Sequence, residues 1–363
     1  MDVVSYKCPN CSAGLSFDIE RQNWHCQFCQ GDFTLEDLKD QDAPDAPAQD
    51  AESAKDAEMT MESPQWEEPH DHFGGDAVVF SCPSCGGRIV TEQNTAATFC
   101  VFCHNPTVLS SRLEKEYRPA RMIPFKMQKD TVLKALHKLC RKRPLLPDNF
   151  REYAQKGEVS GLYVPFWLFD ADIDASLTAT GKHVRTWSDS NYRYTKTDTY
   201  RVERAASISF RNLPTDGSKK MDDKLMDSLE PFDYTQMVDF SMHYLSGHFA
   251  ESYDVDAKEA SGRATPRMRG SVDRMMRGQI TGYSSTVVHD FTSRTKDTRS
   301  TYVMLPVWVL MAQYGDKTYT FAMNGQTGKI TGSLPLSRKR FWSFFAGITA
   351  AVSAIVFLGG MLL

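Results

Sequence analysis

Apolar and polar positions fall into sharply different patterns along the 363 residues. The flanks of the first cysteines, such as Gly14-Leu15-Ser16-Phe17-Asp18, alternate in the two-residue period of a half-buried strand. Residues 129–143 change period: Val132, Leu136, Leu139 and Cys140 form one apolar stripe, which predicts an amphipathic helix. Shorter helices are predicted from Asp148 to Gln155 and from Asp222 to Leu229. Strand patterns dominate the rest, with a long β region over Leu162–Val184, another over Tyr192–Phe210, and a hairpin of Tyr302–Tyr314 and Lys317–Met323 turning at Gly315-Asp316. Val164-Pro165-Phe166-Trp167-Leu168 is echoed by Leu305-Pro306-Val307-Trp308-Val309, and each proline reads as the start of an edge strand. The last 23 residues, Phe341 to Leu363, contain neither charge nor proline. As a helix they would reach about 34 Å, which predicts a membrane span. Arg338-Lys339-Arg340 just before it predicts a cytoplasmic N-terminal side, and Trp342 an interfacial position.

Eight of nine cysteines lie in the first 103 residues, as four Cys-x-x-Cys pairs. The pairs are Cys8/Cys11, Cys26/Cys29, Cys82/Cys85 and Cys100/Cys103; 14 residues separate the pairs within each set, and every cysteine recurs 74 positions later. Pro9 maps onto Pro83 and Phe28 onto Phe102 by the same offset, so the module is duplicated. Two tight turns aiming four thiolates at one ion make a zinc ribbon, with Zn–S distances of about 2.3 Å. A four-thiolate set is closed, so two Zn2+ ions are expected to be structural. Disulfide staples are the alternative, disfavoured because Met1-Asp2-Val3-Val4-Ser5 carries no secretory signal pattern. Gly31 and Asn105 follow their knuckles and are expected to take left-handed backbone. Cys140 lies on the amphipathic helix and reads as a buried hydrophobe.

Composition and charge sharpen the division. Hydrophobic residues make up 41% and charged residues 24%, with a net charge of −4. Residues 36–76 hold fourteen acidic and two basic side chains, a balance of −12 that leaves +8 on the remainder. So acidic a stretch, poor in branched apolar residues, predicts a disordered linker. The fold class expected is therefore multi-domain: zinc ribbon 1 at 1–35, acidic disordered linker at 36–77, zinc ribbon 2 at 78–110, a β-rich α+β cytoplasmic domain at 111–336, and a basic anchor with one C-terminal transmembrane helix at 337–363. Ala346, Gly347, Ala350, Ala351 and Ala354 form a small-residue face suited to homo- or hetero-oligomers.

Known catalytic signatures are missing. The chain has no Gly-x4-Gly-Lys-Ser/Thr loop, no His-Glu-x-x-His, no Gly-x-Ser-x-Gly and no Gly-x-Gly-x-x-Gly. His137, His183 and His289 read as surface or strand residues, and no catalytic or cofactor-binding residue is assigned. Ribbon one carries −2 over residues 1–34 and ribbon two is neutral over 80–108, so protein partners fit the ribbons better than nucleic acid. Basic charge gathers instead at 126–143, with +6, and at 262–300, with +5, where anionic lipid headgroups are expected as partners.

The whole layout, with Leu305-Pro306-Val307-Trp308-Val309 and Tyr319-Thr320-Phe321-Ala322-Met323-Asn324-Gly325-Gln326-Thr327-Gly328-Lys329, resembles a bacterial family. Its members are named transcription-factor-B-type zinc-ribbon proteins, some labelled primosomal helicase-like, and are associated with phage-shock-type membrane-stress operons. The missing ATP loop gives the helicase label no support. The resemblance implies a membrane adaptor that recruits such cytoplasmic or peripheral stress proteins, and the closed metal sites, weakly charged ribbons and single span make the expected function a non-catalytic, tail-anchored, single-pass scaffold at the cell membrane. A tethered nucleic-acid binder and an enzyme with an unrecognised site in the β-rich domain are the competing expectations.

Overall fold

The computed structural model of the protein describes residues 3–4, 6–38, 77–82, 88–92, 94–100, 106–109, 118–147 and 149–362. They form two compact units. The first comprises Met1–Arg112 together with Ser241–Ala250; the second comprises Leu113–Phe240 and Glu251–Leu363.

The first unit carries both cysteine repeats. Strands β1 (Val3–Val4), β2 (Ser16–Asp18), β3 (Asn23–His25) and β4 (Asp32–Phe33) belong to the first repeat, followed by helix α1 (Leu35–Leu38). Strands β5 (Ala77–Ser81), β6 (Arg88–Glu92), β7 (Thr95–Phe99) and β8 (Pro106–Leu109) belong to the second. The duplication is visible in register: Trp24 faces Phe33 across β3 and β4, and Thr98 faces Thr107 across β7 and β8, 74 positions on. β1 crosses between repeats, pairing Val3 with Leu109 and Val4 with Val108. Most of the expected acidic linker, residues 39–76, lies outside the described residues. Its first residues differ from expectation. The Asp37 carboxylate accepts from the Thr34 backbone N–H and hydroxyl at 2.8 and 2.7 Å, which starts α1 and turns Leu38 into the core.

The second unit is built on three very long strands. β9 (Arg121–Met122), α2 (Lys129–Arg141) and α3 (Phe150–Gln155) precede β10 (Glu158–Ser188), β11 (Arg193–Asp216), α4 (Asp223–Asp227) and β12 (Val238–Asp239). After β13 (Phe249–Glu251), whose first two residues belong to the first unit, come α5 (Ala257–Gly278), β14 (Ser285–Tyr314), β15 (Lys317–Asn324), β16 (Ile330–Gly332) and α6 (Arg338–Leu362). β10 lies between β11 and β14, antiparallel to both, and β15 and β16 extend the sheet beyond β14.

The two proline echoes are neighbours, with Val164 paired to Leu305. Neither proline begins its strand, which corrects the edge-strand expectation. Each sits one residue past the end of a flanking ladder, because the β11 pairing stops at Phe166 opposite Asp216 and the β15 pairing stops at Val307 opposite Asn324. The missing proline N–H thus falls where one neighbour has already ended.

Helix α5 escaped the sequence reading. Ala260, Ala264, Met268, Val272 and Met276 recur every four residues and are buried against Ile173, Leu177 and Ala179 of β10. Pro266, Gly262 and Gly270 disguise that stripe as loop. The expected basic patch at 262–300 is correspondingly reduced. Arg263 pairs with buried Asp216 at 3.0 Å and also with Asp223, while Arg267 pairs with Asp227 at 3.1 Å and Glu230 at 2.5 Å.

Asp216 is fully buried, and its Oδ2 has no hydrogen-bond partner among the described residues. Burial pushes its carboxyl up from 3.8 to about 6, against the opposing pull of Arg263. The folded state therefore holds a proton that the unfolded chain has released between those values, so this group's stabilisation is present at low pH and fades as pH rises through 6. Asp216→Asn should flatten a decline on the order of 1–3 kcal/mol between pH 4 and 7, measured by urea denaturation across that range.

The C-terminal expectation is corrected. α6 has side chains described as far as Ile355, and among the described residues no helix is long and apolar enough to cross a membrane. Its start bears Arg338, Lys339 and Arg340. The transmembrane helix, the single-pass cell-membrane placement and the tail anchor fall with it. Ala346, Gly347, Ala350, Ala351 and Ala354 are solvent-exposed on α6.

Candidate metal centre

The two knuckles of the first repeat are built alike. Ser12 N–H donates to Cys8 O at 2.8 Å and Gln30 N–H to Cys26 O at 2.9 Å. Each loop closes back as Cys8 N–H donates to Ala13 O and Cys26 N–H to Gly31 O, at 2.7 and 2.9 Å. The left-handed residues are Ser12 and Gln30, with φ of 58° and 59°. This corrects the expectation for Gly31, which is spared a side chain for another reason: a Cβ there would approach the Phe33 ring at 3.1 Å. Asn105 lies outside the described residues.

These turns bring all four sulfurs together. Cys8 Sγ is 3.4 Å from Cys29 Sγ, Cys11 Sγ is 3.5 Å from Cys26 Sγ, and the four lie within 4.8 Å of one another. A tetrahedron with metal–sulfur bonds of about 2.3 Å has edges of about 3.8 Å, inside that spread. Cys8, Cys11, Cys26 and Cys29 could bind a metal ion. Their acidities divide. Backbone N–H groups of Cys29, then Phe28, outweigh burial at Cys26 and hold its thiol down to about 6. At Cys29 the N–H of Gly31 favours the thiolate, but hydrogen bonding with Cys8 and burial prevail and raise it to about 12. Cys26 thus ionises readily, while Cys29 and Cys11 hold their protons more tightly, and a bound cation would offset the shared negative charge.

The second repeat is described only in part. Cys82 and Cys100 are buried in one cluster with Phe80, Ile89 and Leu109. Cys85 and Cys103 lie outside the described residues.

Support for the first centre comes from a segment distant in sequence. Trp24 Nε1 donates to His243 O at 2.9 Å, Phe17 N–H to Ser246 O at 3.1 Å, and Ser246 Oγ to Leu15 O at 2.5 Å. The His243 ring stacks on Tyr6 with centroids 3.9 Å apart. His243 Nε2 lies 3.1 Å from Leu38 O, and Nδ1 lies 2.9 Å from the Ser241 hydroxyl. A carbonyl only accepts, so Nε2 carries a proton. Tyr244 packs against Phe17 and Trp24 at 5.2 and 5.0 Å. Sequence reasoning passed over His243, whose only signal was its neighbourhood of small polar and aromatic residues. Cys140 is buried on α2, as the periodicity predicts.

Fold and centre together define a β-rich protein with a few helices and a compact cysteine cluster able to hold a metal ion. No family model and no solved structure matches the chain. It is 31% identical over 346 residues to the uncharacterized protein YdjG of Bacillus subtilis (strain 168), an alignment covering 95% of this chain and 94% of that one. The chain belongs to the YdjG family.

Proposed function

We propose that this protein is a non-catalytic zinc-ribbon scaffold that recruits protein partners. Each repeat would hold one structural Zn2+, the first through Cys8, Cys11, Cys26 and Cys29, the second through Cys82, Cys85, Cys100 and Cys103. The single observation that carries this reading is the compact four-sulfur cluster of the first repeat, which around one ion would use every thiol as a ligand and leave no position for substrate. The ring of Phe28, between two of those cysteines, is 80% exposed and gives the knuckle an apolar tip. The resemblance seen in the sequence points to stress-response proteins as the partner class.

Crosslinking and mass spectrometry of the full chain in its native cells, with elemental analysis, test the proposal. Wild type should carry two zinc ions and Cys8→Ser one. Phe28→Ala should keep both ions yet lose at least ten-fold in partner crosslinks. An unchanged partner set in both variants would remove the ribbon from recruitment.

A further inference from the structure

Helix α5 covers only part of the sheet face on which it lies. Its cover extends along β10 from Phe169 to Ala179. Past Gly181 the same face continues uncovered to the β10–β11 turn, and the pairing arranges it in four rows: Gly181 with Tyr200, His183 with Asp198, Arg185 with Lys196, and Trp187 with Tyr194. Tyr283 roofs the first row so closely that a Cβ on Gly181 would stand 2.5 Å from its ring, and its centroid lies 5.9 Å from that of Tyr200. In the last row Trp187 and Tyr194 stack, with centroids 5.6 Å apart and planes 17° apart. The Tyr194 hydroxyl donates to Asp189 Oδ2 at 3.0 Å, which fixes the ring before any ligand arrives.

These rings are unusually open for their size: Trp187 is 52% exposed, Tyr194 41% and Tyr200 47%. With about 3.4 Å per residue the two aromatic rows stand about 20 Å apart. Between them lie Arg185 and Lys196. Arg185 has no carboxylate partner among the described residues, whereas Lys196 pairs with Asp198 at 3.3 Å while its side chain stays 60% exposed. The four rows carry Arg185 and Lys196 against Asp198, a balance of +1, while Lys182 and Arg193 belong to the opposite face of the sheet. Asp189 is occupied by the backbone N–H groups of Asn191 and Tyr192 at 2.9 and 2.8 Å.

We propose that this end of the sheet binds single-stranded nucleic acid. Bases stack on the two aromatic rows, and Arg185 and Lys196 between them hold backbone phosphates, a footprint of roughly four nucleotides. Charge complementarity and the open ring faces select this occupant. A duplex hides its base faces, so it cannot use the aromatic rows. Trp and Tyr also settle at membrane interfaces, so a vesicle arm belongs to the test. The site is separate from ribbon-mediated docking and uses only residues of the second unit.

The test is fluorescence anisotropy of the full chain with a labelled twelve-residue oligothymidylate, at low and moderate salt. Binding should weaken with salt, and an unlabelled duplex should compete at least ten-fold less well than an unlabelled single strand. Trp187→Ala with Tyr194→Ala should weaken binding at least ten-fold, as should Arg185→Glu with Lys196→Glu, while Lys134→Glu on α2 leaves it unchanged. All four side chains are exposed, and unchanged far-UV circular dichroism establishes that the variants fold. Absence of oligonucleotide binding, equal competition by duplex, or full affinity in the aromatic variant overturns the proposal. Retention on anionic phosphatidylglycerol vesicles without oligonucleotide binding overturns it in favour of a lipid surface.

Discussion

Stripping the proposed zinc from the full chain should unfold the module spanning Cys8 to Cys29. Its strands β2, β3 and β4 are only two or three residues long, too short to persist on backbone pairing alone. Its buried apolar side chains are few: Tyr6, Leu15, Phe17, Trp24 and Leu38. In small domains of this kind zinc supplies about 10–16 kcal/mol of apparent stability, more than so small a core provides. Amide hydrogen exchange before and after chelation should show protection lost from residues 15–33. β10, β11 and β14 should keep theirs, since their cores of aliphatic and aromatic side chains contain no metal ligand. Protection that survives in 15–33 after elemental analysis shows the ion gone would mean that the ion is not what holds these turns.

Trp24→Ala should be the most damaging single substitution in the first unit outside the cysteines. The indole is 2% exposed and contacts Phe17, Tyr244 and His243. Emptying such a site typically costs 3–5 kcal/mol, and the loss of the bond to His243 O adds the cost of a buried carbonyl left without its donor, about 1–3 kcal/mol. The expected signature extends beyond stability. Because His243 and Tyr244 pack on the indole, the amides of residues 241–250 should exchange faster in the variant, although they lie more than two hundred positions away in sequence. Trp24→Phe should recover part of the packing and none of the hydrogen bond. Unaltered exchange at 241–250 in Trp24→Ala would show that this segment does not depend on the ribbon.

Much of the architecture was legible because local rules left little choice. The 74-residue offset of the cysteines carries over to the strands and to the register of β3–β4 and β7–β8. The apolar stripe on α2 and the turn at Gly315, where φ is 62°, follow from periodicity and glycine's tolerance of left-handed backbone. Errors arose where a local pattern had two readings. Uncharged, proline-free residues after Arg340 satisfy the composition of a span, yet no described helix is long and apolar enough to be one. Arginines on α5 looked like a basic surface, but two of them face acidic residues from β11, α4 and the loop after α4. Net charge over a window cannot register partners that lie tens of residues away.

The sequence by itself determined which thiols could share an ion, because two turns of fixed spacing bring four sulfurs together whatever surrounds them. It also determined the strand-rich character of the second unit through β-branched and aromatic alternation. Only the tertiary structure decided that Ser241–Ala250 completes the first unit, that the two proline motifs lie side by side, and that aromatic rings and cations line up beyond the end of α5. These are pairings between residues tens to hundreds of positions apart. They depend on which surfaces exclude water together and on strand register, and no local period encodes either.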